Sequence, residues 1–243
     1  MIKDIIIYIV LFLSDKDTLN FLSISKNNYT LINNILFKDP VHIKKIINLK
    51  FFNQFTNIVS DIICPFPKNI KKICFSNYFN KKIKDCIPNS VTDLTFGYFF
   101  DQEIKDCIPN SVAHLTFGYS FNQEIKYCIP NSVTHLTFGS YFNQDIKECI
   151  PNSVTHLTLN CVNLEIKNCI PLSVTHLTFG YFFNNEIKDC IPNSVTHLTF
   201  GYYFNQEIKD CIPNSVTHLT FNKNYDKNKR ISIPKFISKL KFV

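Results

Sequence analysis

Residues 108–128 read IPNSVAHLTFGYSFNQEIKYC, and this stretch decides the fold. Val112, Leu115 and Phe117 have the spacing V-x-x-L-x-F, with Leu115 and Phe117 alternating with His114 and Thr116. A period of two marks a short strand with one buried face. Pro109 stands at its start, where a residue that fixes φ and lacks an N–H is tolerated. Gly118 follows the strand, and the expected reason is a positive φ in a sharp turn. Phe121, Ile125 and Ile129 point back to the core from the return segment.

The unit is copied along the chain. Prolines at 67, 88, 109, 130, 151, 171, 192, 213 and 234 are 21 residues apart, except for a 20-residue step from Pro151 to Pro171. Where the glycine is missing, Asn160 and Asn222 stand in, asparagine being the next residue to tolerate positive φ. A unit this short cannot bury its own apolar face, so neighbours must stack on both sides. The expected fold is a repeat solenoid with one short strand per turn, the strands forming a parallel sheet. In the short step Val162 replaces the aromatic and Leu164-Glu165 follows, which should tighten the return side. Tyr225, Lys227 and Arg230 near the end read as a polar terminal cap.

Hydrophobic residues make up 45% of the 243, enough to bury a core. Ile, Asn, Lys and Phe dominate, while alanine and arginine occur once each and tryptophan never. Those four share A/T-rich codons, as expected of an A/T-rich genome such as those of some amoebae and the large DNA viruses that infect them. The net charge of +7 collects in the leading segment, from Lys38 to Lys82, and at the end, from Lys223 to Lys241. Within the repeats acids and bases cancel, as at Glu103, Lys105 and Asp106. A nucleic-acid surface would call for arginines and stacking aromatics on one face, so no nucleic-acid partner is expected. The longest apolar run, Ile5 to Leu13, is too short to span a bilayer and has no small-residue cleavage site after it, which places the chain in the cytoplasm, of the host if the source is viral, with no membrane partner.

Residues 1–48 do not repeat. Ile5, Ile6, Ile9, Leu13, Leu19, Leu22, Ile24, Leu31, Ile32 and Ile35 fall near helical spacings, with Ser14 and Asp17 as candidate helix starts. Two or three short helices form a small α-helical head, followed by a linker or N-terminal cap at 49–66, the repeats at 67–233 and a C-terminal cap at 234–243.

The pairs Phe121-Asn122 with Ile129-Pro130, Phe142-Asn143 with Ile150-Pro151, and Phe204-Asn205 with Ile212-Pro213 resemble the FNIP repeat, named for such pairs. The segment I-P-x-x-V-x-x-L-x-F also resembles the core of short leucine-rich repeats. The resemblance covers about 67 to 234 and implies a leucine-rich-repeat-like solenoid used for protein recognition. The head resembles an F-box. Asp4 to Asp17 matches that family's apolar run and the "fLs-x-kD" that closes it, while Leu19, Leu22, Ile24-Ser25-Lys26, Tyr29 and Leu31-Ile32 match its second half. The family's opening Leu-Pro falls on Met1-Ile2 and its usual tryptophan on Asn28. The resemblance implies binding of a Skp-type adaptor of a cullin ubiquitin ligase through Ile5, Ile6, Ile9, Leu13, Leu19, Leu22 and Ile24. A helical cap that covers the first repeat is the alternative reading of the same segment.

One slot of the repeat carries His114, His135, His156, His176, His197 and His218, with Asp93 in the first full copy. Strand alternation turns this slot outward, beside Thr95, Thr116, Thr137, Thr158, Thr178, Thr199 and Thr220. The expected role is a polar target-binding face whose imidazoles gain charge as pH falls toward about 6. A straight ladder does not converge on a point, so no metal site is expected. Seven cysteines share another slot: Cys86, Cys107, Cys128, Cys149, Cys169, Cys190 and Cys211, with Cys64, Cys74 and Cys161 extra. Equal spacing near 21 fits neither a zinc module nor a disulfide framework, and a column of buried thiols is expected. There is no phosphate-binding glycine loop and no G-x-S-x-G, so no catalytic residue and no cofactor are assigned.

The residues therefore lead to a non-catalytic recognition subunit of a ubiquitin ligase, with a plain interaction scaffold as the alternative. An enzyme using the Cys or His ladder is a third and weaker class. Phe99, Ser120, Tyr141, Phe182 and Tyr203, the variable loop positions, are the second candidate for target contact.

Overall fold

The computed structural model describes residues 6, 9, 10, 13–24, 30–162 and 164–243. Among them eleven strands form one sheet: β1 Val41–His42, β2 Asn57–Ser60, β3 Lys72–Phe75, β4 Asp93–Thr95, β5 His114–Thr116, β6 His135–Phe138, β7 His156–Leu159, β8 His176–Phe179, β9 His197–Thr199, β10 His218–Phe221 and β11 Lys239–Phe242. Their order in the sheet is their order in the chain, and every pairing is parallel. The register puts equivalent residues opposite one another, as in His135↔His156, Leu136↔Leu157 and Thr137↔Thr158. The chain is the solenoid that the proline spacing predicts.

The interior is built from columns. Val112, Leu115, Phe117, Phe121 and Ile125 are all buried, and so are their counterparts at Val133, Leu136, Phe138, Phe142 and Ile146. Phe117 stacks on Phe121 of its own turn at 4.0 Å and on Phe138 of the next at 5.6 Å. Phe121 in turn lies 6.0 Å from Phe142. Each buried phenyl contributes about 2 kcal/mol that the isolated turn could not gain.

The Asn of each Phe-Asn pair explains its place. Asn122 Oδ1 accepts from the backbone N–H of Asn143 at 2.8 Å and from Gln144 Nε2 at 3.0 Å. Ser132 and Ser153 likewise donate to the carbonyls of Val112 and Val133 in the preceding turn, both at 2.7 Å. These bonds satisfy backbone groups that a strand of three or four residues leaves unpaired.

The sequence expectation of a positive φ just after the strand is corrected, at the glycines and at Asn160 and Asn222 alike. No glycine among the described residues has a positive φ. A Cβ on Gly118 would overlap the carbonyl of Gly97, and one on Gly139 the carbonyl of Gly118. The glycine is there because successive turns touch through their backbones. The left-handed residue is instead the one before the repeat cysteine: Asp106 at φ 56°, Tyr127 at 60°, Glu148 at 59°, Asn168 at 59°. It closes a tight turn in which Cys107 N–H donates to Ile104 O and Cys128 N–H to Ile125 O, both at 3.0 Å.

In the short turn Val162 is 39% exposed and does not fill the aromatic slot. Cys161 and Leu164 are buried in that region, and Leu159 replaces the strand phenylalanine. Both phenylalanine columns are therefore interrupted at one place, between Phe138/Phe142 and Phe179/Phe183.

The sheet also reaches past the segment defined by the prolines. β1 and β2 lie in what the sequence reads as head and linker, and β11 lies in the C-terminal cap segment. Tyr225 is not a polar cap residue. It is buried in the phenylalanine slot, stacked on Phe221 at 4.3 Å, with its hydroxyl donating to Gln206 O at 3.1 Å. Arg230 closes that end by donating to the carbonyls of Lys223 and Tyr225 while its guanidinium lies 4.0 Å above the Phe242 ring.

At the other end, helix α1 spans Asp15–Ser23. Ser14 is its N-cap, accepting from Asp17 N–H, while Asp17 sits in the first turn and does not start the helix. The helix is tied to the sheet's approach by paired bonds, Asp15 N–H to Asp39 Oδ2 at 3.0 Å and Asp39 N–H to Asp15 Oδ2 at 2.6 Å.

Candidate functional site

Strand alternation places the histidine and the threonine two residues on from it on the outward side of the sheet, between buried Leu and Phe positions. His114 is exposed, while His135, His156, His176, His197 and His218 are half-buried, as are Thr116, Thr137, Thr158, Thr178 and Thr199. The histidines form a continuous stack. Successive rings from His135 to His197 are 4.1 Å apart and 13° from parallel, and His197–His218 is 4.0 Å and 20°. His114 meets His135 edge-on at 4.5 Å and 74°.

Sequence reading missed what holds the rings in place. Thr134 Oγ1 is 2.9 Å from His135 Nδ1, and Thr155, Thr175, Thr196 and Thr217 hold the next four imidazoles at 2.9–3.0 Å. The Thr-His pair of the repeat is the signal for this. Where Ala113 replaces that threonine, His114 turns to Asp93 instead, Nδ1 to Oδ1 at 3.1 Å. Asp93 also receives Lys72 Nζ at 3.1 Å and Thr92 Oγ1 at 2.7 Å. Burial works to raise the Asp93 carboxyl, but these bonds and the Lys72 charge outweigh it and hold the group below the ordinary carboxylate value. Partial burial, then the neighbouring imidazoles, lower His135, His156 and His176 below 6.5. His218 is lowered in the same direction by desolvation, His197, Lys239 and Lys241.

Beside this face runs a ridge of exposed aromatics on the loops after the strands. Tyr98 stacks on Tyr119 at 4.6 Å, Tyr78 on Phe99 at 5.5 Å, and Phe182 on Tyr203 at 5.6 Å. Phe99, Tyr141, Phe182 and Tyr203 are exposed and Ser120 is half-buried. The ridge is interrupted at Asn160-Cys161-Val162, the same turn that breaks the core columns.

The cysteines lie on the return side. Cys107, Cys128, Cys149, Cys169 and Cys190 are buried, Cys86 and Cys211 half-buried, and all seven thiols face the carbonyl of the lysine two residues earlier at 3.1–3.3 Å. Burial raises the thiols from Cys107 to Cys190, and pushes Cys161 up to about 12, which disfavours the nucleophilic thiolate. The imidazoles and thiols belong to different parts of each turn, and among the described residues no Cys is hydrogen-bonded to a His. Among the described residues no group of three or more His, Cys, Asp or Glu is placed to hold a metal ion, and no helix is long and apolar enough to cross a membrane.

The residues matched to adaptor binding do not share one environment. Leu22 is fully buried and anchors the head, so it presents nothing to a partner. Ile6 and Leu19 pack partly against the core, and Leu13 is half-buried. Ile9 is 40% and Ile24 79% exposed, while Ile5 lies outside the described residues.

Fold and face together define a leucine-rich-repeat-type solenoid, a class of protein-interaction scaffold. The FNIP Repeat family matches residues 62–99, 100–141, 121–162, 163–203 and 204–243, and the chain belongs to that family. Among solved structures it is similar to "The crystal structure of CroV588 a novel circular LRR protein structure", with a TM-score of 0.65 and 41% identity over 78% of this chain. The chain spans 30% of that protein's length. A comparison with the curated proteins gives no match.

Proposed function

We propose that the chain is a recognition scaffold that holds a target protein against the outward sheet face and catalyses nothing itself. The observation that carries this is the unbroken outward row of imidazoles from His114 to His218, flanked by threonine hydroxyls and an exposed aromatic ridge. Aromatic side chains beside directional polar groups are what interface hot spots use. Replacing His135, His156 and His176 with Ala, with folding followed by circular dichroism, tests it. Capture of the native chain's partner should fall while the fold persists. Unchanged capture by a folded variant moves recognition to the loop positions Phe99, Ser120, Tyr141, Phe182 and Tyr203.

The same proposal extends to the head, which would dock a Skp-type adaptor and so bring the target to a cullin ubiquitin ligase. Its support is the F-box resemblance, together with the exposure of Ile9 and Ile24. The gain would come from proximity, since tethering raises the target's effective concentration at the conjugating enzyme. Co-purification of the full chain with the adaptor should be lost in Ile9→Asp. If the two chains behave alike, the head is a cap and the scaffold has no ubiquitin link.

A further inference from the structure

The bonding of the histidine column is constrained by its threonines. Each threonine hydroxyl that faces an Nδ1 also lies 3.2–3.3 Å from a backbone carbonyl of the preceding turn, as Thr155 does to Thr134 O and Thr196 to Thr175 O. One hydroxyl proton cannot serve both partners. Both bonds are made together only when the imidazole proton sits on Nδ1, with Nδ1–H donating to Oγ1 and Oγ1–H donating to the carbonyl. That leaves Nε2, which has no hydrogen-bond partner among the described residues, in one of two states. In the neutral ring it is a bare acceptor, and in the imidazolium it is a charged donor. Protonation therefore changes the row of Nε2 atoms from acceptors to donors without breaking a bond within the chain. What opposes it is partial burial and the neighbouring rings at 4.0–4.1 Å.

The charges around the column favour an anion. On the outward positions of β3 to β11 the charged side chains are Lys72, Asp93, Lys239 and Lys241. Asp93 is already engaged by Lys72 and His114. That contact is itself a carboxylate seated on the column's first ring from the adjoining turn. Lys239 and Lys241 lie beyond His218, at the other end. From His135 onward the described strands offer donors and positive charge and no acid.

We propose that the imidazole column from His135 to His218 binds an extended acidic peptide segment, whose carboxylates accept hydrogen bonds from neighbouring Nε2–H groups, and that binding takes up protons. The proposal rests on the reading of the outward face as the recognition surface and names the chemistry of its target. A carboxylate placed against two adjacent rings cancels the repulsion between them, so each site binds its proton more tightly when occupied. Binding strengthens as pH falls toward the range in which the column charges, and weakens as the rings lose their protons. A nucleic acid is a poorer occupant, because the exposed aromatics are closed against one another, as Tyr98 is on Tyr119 at 4.6 Å and 10°, and leave no gap for a base.

The test uses the full chain and a fluorescent oligoglutamate, with oligoglutamine and oligothymidylate as controls, at constant ionic strength. The oligoglutamate Kd should fall by about tenfold between about pH 7.5 and 5.5, and oligoglutamine should not bind. Replacing His156, His176 and His197 with Gln should abolish that gain while circular dichroism stays unchanged. Lys239→Gln with Lys241→Gln should weaken binding at both pH values alike. If the triple variant unfolds, the imidazole proton signals of the native chain decide: added oligoglutamate should raise the ladder's titration midpoints. Absence of the pH gain, its persistence in the folded triple variant, unmoved midpoints, or equal binding of oligothymidylate overturns the proposal. A target protein captured on this face with no response to pH or oligoglutamate also overturns it and leaves the face reading standing. The reverse, oligoglutamate binding as described with target capture unchanged in the folded triple variant, upholds the acidic-ligand site but removes the face reading, and with it the assignment of that ligand to the target.

Discussion

The imidazoles of His156 and His176 are 4.1 Å apart and 13° from parallel, each held by the threonine that precedes it in the chain. Twenty residues separate them in sequence, and parallel strand register alone brings them together.

That contact predicts a pH-dependent stability. His135, His156, His176 and His218 have folded-state pKa values below 6.5, through desolvation first and neighbouring charge second. Below about 6.5 the unfolded chain therefore binds more protons than the folded one. The contribution of these groups is fully present above that value and is lost as pH falls through their folded values. The Tm should fall between about pH 7.5 and 5, and the slope should flatten in His156→Gln with His176→Gln. A flat profile in the native chain would refute the coupling.

Gly139→Ala should destabilise the fold by about 1–3 kcal/mol, the usual cost of overpacking. The new methyl would meet the Gly118 carbonyl and force two turns apart. Urea unfolding measures this, and a neutral substitution would mean that the turns separate at little cost.

Tyr127→Asn should stabilise the chain by up to about 1 kcal/mol, because asparagine accepts the left-handed region that tyrosine resists. Tyr127 has φ 60° and is 86% exposed, so its ring loses little packing on removal. The comparison is of Tm under identical conditions, with an unchanged or lower Tm counting against the account.

Native-state thiol labelling should separate the cysteines. Cys74 is exposed and Cys64, Cys86 and Cys211 are half-buried, so these four should react first. Cys107, Cys128, Cys149, Cys161, Cys169 and Cys190 are buried and should react only on unfolding. Mass spectrometry after a short pulse reads the order, and early modification of the buried six would contradict it.

How much of this was legible beforehand depends on whether the determinant is local. The outward turn of His114 and Thr116 follows from alternation with Leu115 and Phe117, because a strand has two faces and large apolar residues take the inner one. The parallel sheet follows from a period too short to fold alone. Gly118 shows where such reading stops. Its conservation of place from turn to turn suggested a special φ, yet its cause is the Gly97 carbonyl lying against it from a turn that is 21 residues away in sequence. The left-handed residue is Tyr127 and its counterparts Asp85, Asp106, Glu148, Asn168, Asp189 and Asp210. These are mostly the Asp and Asn that tolerate this region best, so the signal stood in the sequence one position before the repeat cysteine.

The sequence by itself determined the repeat, the inner and outer residues of each strand, and the columns of histidine, threonine and cysteine, since each depends on spacing within one unit. The tertiary structure alone decided how the columns interact: the stacked imidazoles, the threonine that orients each of them, Cys161 and Leu164 in place of an aromatic, and the addition of Val41–His42 and Lys239–Phe242 to the sheet. These are contacts between turns, and their geometry is set by how closely one backbone can approach the next, a distance that no single repeat contains.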